Sequence, residues 1–128
     1  DLHSFPTRRS SDLNLYVTGD RLNGILNQRS QDILAANNWN VVQYSVLLHL
    51  LSKVCGFKPG KLVHVIADAH IYDRHIPMIE DLISRKSYDA PKFFIDERVD
   101  DFYKFSADDI KVENYKAGPQ IIDIPIAI

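Results

Sequence analysis

Asn27-Gln28-Arg29-Ser30-Gln31-Asp32, followed eight residues later by Asn40, is the stretch on which the reading of this chain turns. It sets a guanidinium, a hydroxyl, a carboxylate and a carboxamide within one short span. Arg29 has the planar fork that grips a phosphate bidentately, Ser30 adds a donor, and Asn40 carries a donor and an acceptor that together match a nucleobase edge. The set suits a nucleotide. The same residues also suit a plain helix start, with Asp32 capping a short helix from Ile33 and Asn40 capping the next one.

Working outward, residues 15–17, the turn 18–21 and residues 22–26 read as strand, turn and strand, β-formers on either side of Gly19-Asp20. The second strand delivers Gln28 and Arg29 to its end, a rigid support for a binding group. Residues 41–55 give the clearest helix, with Val42, Val46, Leu47, Leu50, Leu51 and Val54 at three- and four-residue spacing and Gly56 as C-cap. It is expected to be the buried central helix. Cys55 at its C-terminal end, where the helix dipole disfavours a thiolate, reads as structural, and His49 as a packed helix residue.

Residues 58–61 read as a turn and 62–67 as a strand that leads into Asp68-Ala69-His70-Ile71-Tyr72. In extended backbone His70 and Tyr72 share a face. As metal ligands, Asp68, His70 and His75 match no zinc spacing, so no metal is expected. Residues 76–84 read as a second helix, 85–91 as a loop, 92–95 and 110–115 as strands with a solvated acidic loop between them, and 121–128 as an irregular tail.

With 45% hydrophobic and 25% charged residues the composition is that of a soluble globular domain, and the alternation of strands and helices reads as part of one α/β domain. A net charge of -2 leaves no electrostatic footprint for DNA or an anionic membrane. The single cysteine excludes an internal disulfide and fits a cytoplasmic setting. The most apolar run, 41–51, is interrupted by Gln43, Ser45 and His49 and is too short to cross a bilayer.

Gln28-Arg29-Ser30-x-Asp32, the later Asn40, Asp68-x-His70-x-Tyr72 and the ending Pro125-Ile126-Ala127-Ile128 together resemble thymidylate synthases, in that family's order and spacing from about residue 16 to 128. The resemblance implies an α/β (α+β) fold, a mixed twisted sheet packed with a long central helix and present here as an incomplete fragment, residues 14–128 being the C-terminal part. It implies transfer of a one-carbon unit and a hydride from methylenetetrahydrofolate to dUMP, giving dTMP. It assigns Arg29 and Ser30 to phosphate, Asn40 to the uracil edge, Asp32 to uracil and folate, Ala127 to folate, and His70 and Tyr72 to the sugar hydroxyl; Tyr115 resembles the end of a further sugar-contacting motif. Uracil offers an acceptor and a donor that a carboxamide answers together, whereas related cytosine-modifying enzymes carry Asp at the place of Asn40.

The family is a homodimer whose second subunit supplies two phosphate-binding arginines, and neither these nor the nucleophilic cysteine has a counterpart here. Counting back about twenty residues from Arg29 lands on Arg9. The chain alone is therefore expected to be inactive. Ala36, Ala67 and Ala69 depart from the family pattern, Ala36 in a place where glycine would allow a closer approach of folate. Two other readings stay open: a pyrimidine hydroxymethylase of the same fold, and a nucleotide-binding fragment without chemistry.

Residues 1–13 have no helical or strand period and no signal-peptide core. Translated back into codons, they match one frame of a common short-read sequencing adapter at thirteen consecutive positions. They are expected to be a translated scar and not part of the domain. A natural basic arm with Arg8 and Arg9 on phosphate is the rival reading.

Overall fold

The structure is a computed structural model and describes residues 11–125. β1 (Ser11–Thr18) and β2 (Arg21–Asp32) form an antiparallel hairpin. Gly19, at φ 60°, takes the left-handed conformation that closes so tight a turn. Lys58 holds the turn from outside, donating to the Asp20 carboxylate at 2.6 Å and keeping that carboxyl below its ordinary range.

The hairpin foreseen from sequence is present, with both strands longer. β1 takes in Ser11, Asp12 and Leu13, paired with Gln28, Asn27 and Leu26. β2 runs past Gln28 and Arg29 to Asp32, so these two residues lie inside the strand and not at its end. The extension comes from a later strand, β3 (Lys58–His70), which lies parallel to β2 along its length. Parallel neighbours need a crossover, and α1 (Asn37–Val54) supplies it. The sheet is mixed, in the order β1-β2-β3.

Residues 58–61 are the first part of β3 and not a turn. One extra residue is accommodated there, because Leu22 pairs with Pro59 while Gly24 pairs with Leu62. The bulge is held by Asn23, whose Oδ1 accepts the Lys61 N–H at 2.9 Å. Gly60 lies against that carboxamide: a Cβ there would stand 2.4 Å from Asn23 Oδ1 and 2.7 Å from the Leu22 carbonyl oxygen. Pro59-Gly60 thus resembles a turn in composition because a bulge needs similar backbone freedom.

The core is small. Among the described residues Leu22, Leu26 and Leu48 are its buried apolar side chains, and Ser52, also buried, returns its hydroxyl to the Leu48 carbonyl at 2.7 Å. Leu13 and Leu62 close over Gly24, where a Cβ would sit 3.2 Å from each. α1 starts four residues before the expected 41 and ends at Val54, with Gly56 at φ 73° turning the chain away. Asn40 therefore lies inside the helix, its N–H bonded to the Ala36 carbonyl, and does not cap it.

The expected buried central helix rests on β2 and β3 and buries Leu48 and Ser52, while most of its other side chains stay partly exposed. Its other side, with Val41, Val42 and Val46, opens into a groove of about 610 Å³. Phe93 and Val112 form the opposite wall, from β4 (Lys92–Ile95) and β5 (Ile110–Glu113), an antiparallel pair. No described element covers the second face of the main sheet, and Tyr16, Val63 and Val65 stand exposed.

α2 (Ile76–Ser84) has the foreseen bounds and carries Pro in its first turn, where no N–H is needed. β5 ends two residues short of the expected 115, because Asn114 takes a positive φ of 59°. The acidic segment before it is more ordered than a loop. It contains the 3-10 turns Phe102–Lys104 and Ala107–Asp109, the second closed by a reciprocal Ser106 and Asp109 cap. No helix among the described residues is long and apolar enough to cross a membrane.

Candidate nucleotide site

The parallel register of β2 and β3 builds the site. Ser30 pairs with Asp68, Gln31 with Ala69 and Asp32 with His70, so two motifs 38 residues apart end side by side. The carboxyl ends of parallel strands are where α/β sheets present ligand groups, since backbone pairing fixes the side chains that leave there. Ser30 Oγ donates to Asp68 Oδ2 at 3.2 Å, and the same oxygen lies 3.5 Å from His70 Nδ1. Asp68 is exposed and meets both groups, its carboxylate holding the hydroxyl and its backbone carbonyl lying 3.3 Å from His70 Nδ1.

Tyr72 follows as foreseen on the side of His70, the rings meeting edge to face at 5.2 Å. Asp32 caps no helix. Its Oδ1 accepts the N–H groups of Leu34 and Ala35, both at 3.0 Å, and folds residues 33–36 into the turn that leads to α1. Oδ2 has no partner among the described residues and stays available. Asn40 reaches this corner through Gln31, its Nδ2 donating to Gln31 Oε1 at 2.9 Å.

The Arg29 side chain is exposed, and its guanidinium makes no hydrogen bond or ion pair among the described residues. The described contacts thus join Ser30, Asp68, His70 and Tyr72, and separately Asp32 and Asn40, and leave Arg29 unjoined to either group. Ala127 and Arg9 lie outside the described residues. Tyr115 lines the groove beside α1 and has no described contact with His70 or Tyr72.

Three residues take supporting roles that were not foreseen. Gln28 is buried, with its Oε1 2.9 Å from His64 Nε2 and its Nε2 donating to the Ser30 carbonyl at 2.8 Å, which braces the strand under Ser30. Gln31 is 1% exposed and ties Asn40 to the strand. His75 is 2% exposed, packs edge to face on Tyr72 at 5.5 Å, and donates from Nε2 to the Pro125 carbonyl at 2.9 Å. Its Nδ1 faces Asp32 Oδ1 at 4.0 Å, too far for a hydrogen bond. The spacing of His75 after Tyr72 was legible only as a poor metal pattern. Among the described residues no group of three or more His, Cys, Asp or Glu could hold a metal ion. Cys55, exposed at the C-terminal end of α1, is a free thiol.

The family model described as thymidylate synthase matches residues 10–128. The chain belongs to the thymidylate synthase family. A thymidylate synthase of Clostridium beijerinckii is 45% identical over 102 residues, which are 78% of this chain and 39% of that protein. Thymidylate synthase 1 of Bacillus amyloliquefaciens is 36% identical over 112 residues, 87% of this chain and 49% of its relative. The solved thermostable thymidylate synthase A from Bacillus subtilis superposes with a TM-score of 0.85 at 34% identity, over 88% of this chain and 41% of that one. The chain spans less than half the length of these thymidylate synthases. The likeness bears out the expected α+β fold.

Proposed function

We propose that this chain is the nucleotide-binding portion of a thymidylate synthase, residues 14–128 being the C-terminal part of that domain and 1–13 an adapter-derived segment. The complete protein would methylate dUMP to dTMP with 5,10-methylenetetrahydrofolate, in the cytoplasm. The observation that supports this most is the β2–β3 register, which brings Ser30 beside Asp68 and Asp32 beside His70 at adjacent strand ends.

In this reading Arg29, without a competing partner among the described residues, takes the phosphate, and Ser30 adds a donor. His70 and Tyr72 hold the sugar hydroxyl, and Asn40 reads the uracil edge. Asp32 turns its unengaged Oδ2 to uracil and the pterin of folate, with Ala127 near the folate. These groups hold the base in place while a cysteine thiolate, supplied from outside this chain, adds to the ring and makes C5 nucleophilic. Cys55 does not serve: it sits at the far end of α1, where the dipole opposes a thiolate. A homodimer, with the second subunit completing the phosphate grip, fits the uncovered sheet face around Tyr16, Val63 and Val65.

The test is twofold. Titration of the 128-residue chain with dUMP is expected to show saturable binding without dTMP formation when methylenetetrahydrofolate is added. The reading frame recovered from source DNA, with a cysteine about twenty residues before Arg29, is expected to make dTMP. A complete frame that neither binds dUMP nor forms dTMP would refute the proposal, and natural coding sequence running through residues 1–13 would refute the adapter assignment.

A further inference from the structure

Gln31 is almost wholly buried, although it stands between Ser30 and Asp32 in a motif of ligand-facing residues. Its carboxamide is a bridge. Nε2 donates to the Asp32 carbonyl at 3.0 Å, and Oε1 accepts from Asn40 Nδ2 at 2.9 Å.

A carboxamide is nearly symmetric in outline, so shape alone does not decide which end is nitrogen; its partners do. The Asp32 carbonyl can only accept. Gln31 must therefore turn its nitrogen toward Asp32 and its oxygen toward Asn40, and Asn40 must answer with its own nitrogen. A half-turn of the Asn40 amide would set oxygen against oxygen at a buried atom, which costs the full desolvation of both. Asn40 is left with one N–H and Oδ1 in a fixed order.

That order carries the base preference. Uracil presents an acceptor at O4 and a donor at N3, cytosine a donor amino group and an acceptor at N3. One orientation of a carboxamide answers the first pair, and the flipped orientation answers the second. An unrestrained Asn40 could serve either. We propose that Gln31 is a positioning residue that sets the uracil preference of Asn40 by locking its carboxamide against the flip. The inference rests on the dUMP reading above.

The experiment uses the 128-residue chain and two measurements. The first follows exchange of the two Asn40 carboxamide protons in the wild-type chain by nitrogen-15 NMR. The proton bonded to Gln31 is expected to exchange about tenfold more slowly than the other; equal, fast exchange would overturn the lock. The second compares affinities for dUMP, dCMP and 2-deoxyribose 5-phosphate in wild type and Gln31→Met, a substitution of similar length without hydrogen-bonding groups.

The dUMP preference over dCMP is expected to fall about tenfold while the sugar phosphate binds as before. A merely structural role would weaken all three ligands alike, and that result, or an unchanged ratio, would overturn the proposal. If Gln31→Met does not fold, Gln31→Glu takes its place: it keeps an acceptor toward Asn40, so the preference should survive, and its loss would overturn the lock. A wild-type chain that does not bind dUMP would remove the functional reading and this inference together. Binding of dUMP with an unchanged ratio in Gln31→Met would remove this inference alone.

Discussion

Replacing Gly60 by alanine tests the bulge that sets the register of the site. The new Cβ would stand 2.4 Å from Asn23 Oδ1, 2.8 Å from Asn23 Cγ and 2.7 Å from the Leu22 carbonyl oxygen. Two of these contacts can be relieved by swinging Asn23 away, which gives up its bond to the Lys61 N–H. The third is to backbone in the middle of a paired strand and yields only if β3 shifts. Overpacking of this kind costs about 1–3 kcal/mol, and the lost hydrogen bond adds about 1 kcal/mol. The sum, about 2–4 kcal/mol, is a large share of the roughly 5–15 kcal/mol that stabilises an ordinary domain.

With a urea dependence of about 2 kcal/mol per molar, the unfolding midpoint should drop by about 1–2 M, followed by circular dichroism. Asn23→Ala combined with Gly60→Ala should recover part of the loss, since it removes the 2.4 and 2.8 Å contacts and leaves the one to Leu22. A Gly60→Ala midpoint equal to that of wild type would refute the reasoning, and with it the claim that the bulge holds Asp68 opposite Ser30.

Arg29→Ala should weaken dUMP binding about 10- to 100-fold by calorimetry, the loss of charge-assisted bonds to phosphate, while deoxyuridine binds as before; equal losses for both ligands would place Arg29 elsewhere. His75→Phe leaves the Pro125 carbonyl without its donor and should destabilise the chain by about 1–3 kcal/mol in urea unfolding, with His75→Gln recovering part. His49 lies beside Phe93 with its ring centroid 4.7 Å away, and burial holds its pKa below the ordinary 6.5. The folded chain then holds fewer protons than the unfolded one, so the stability present above pH 6.5 is lost as the pH falls below it. As the pH falls below 6.5, the urea midpoint should drop less steeply in His49→Phe than in wild type.

Some elements were legible because their cause is local. α2 follows from apolar spacing and a first-turn proline, and it has the foreseen bounds. The Gly19-Asp20 hairpin follows from turn chemistry. The start of β3 misled, because Pro59-Gly60 is punctuation for a turn and a bulge alike, and only Asn23, 38 residues away, decides between them. The helical position of Asn40 misled for a similar reason. Asp32 folds residues 33–36 from behind, so α1 begins earlier than its apolar period.

By itself, the sequence determined the motif residues, their order, the family they resemble and most of the helices and strands. These depend on residue type and on spacings of a few positions, which a chain carries whatever its fold. The tertiary structure decided which of those residues meet. Parallel pairing of β2 and β3 set Ser30 against Asp68 and Asp32 beside His70, and a buried amide bridge tied Asn40 to Gln31. It also decided that His75, legible in the sequence only as part of a poor metal pattern, would lie buried between Tyr72, Asp32 and Pro125. Contacts between distant segments follow from register and burial, and these are properties of the packed chain and not of any short stretch of it.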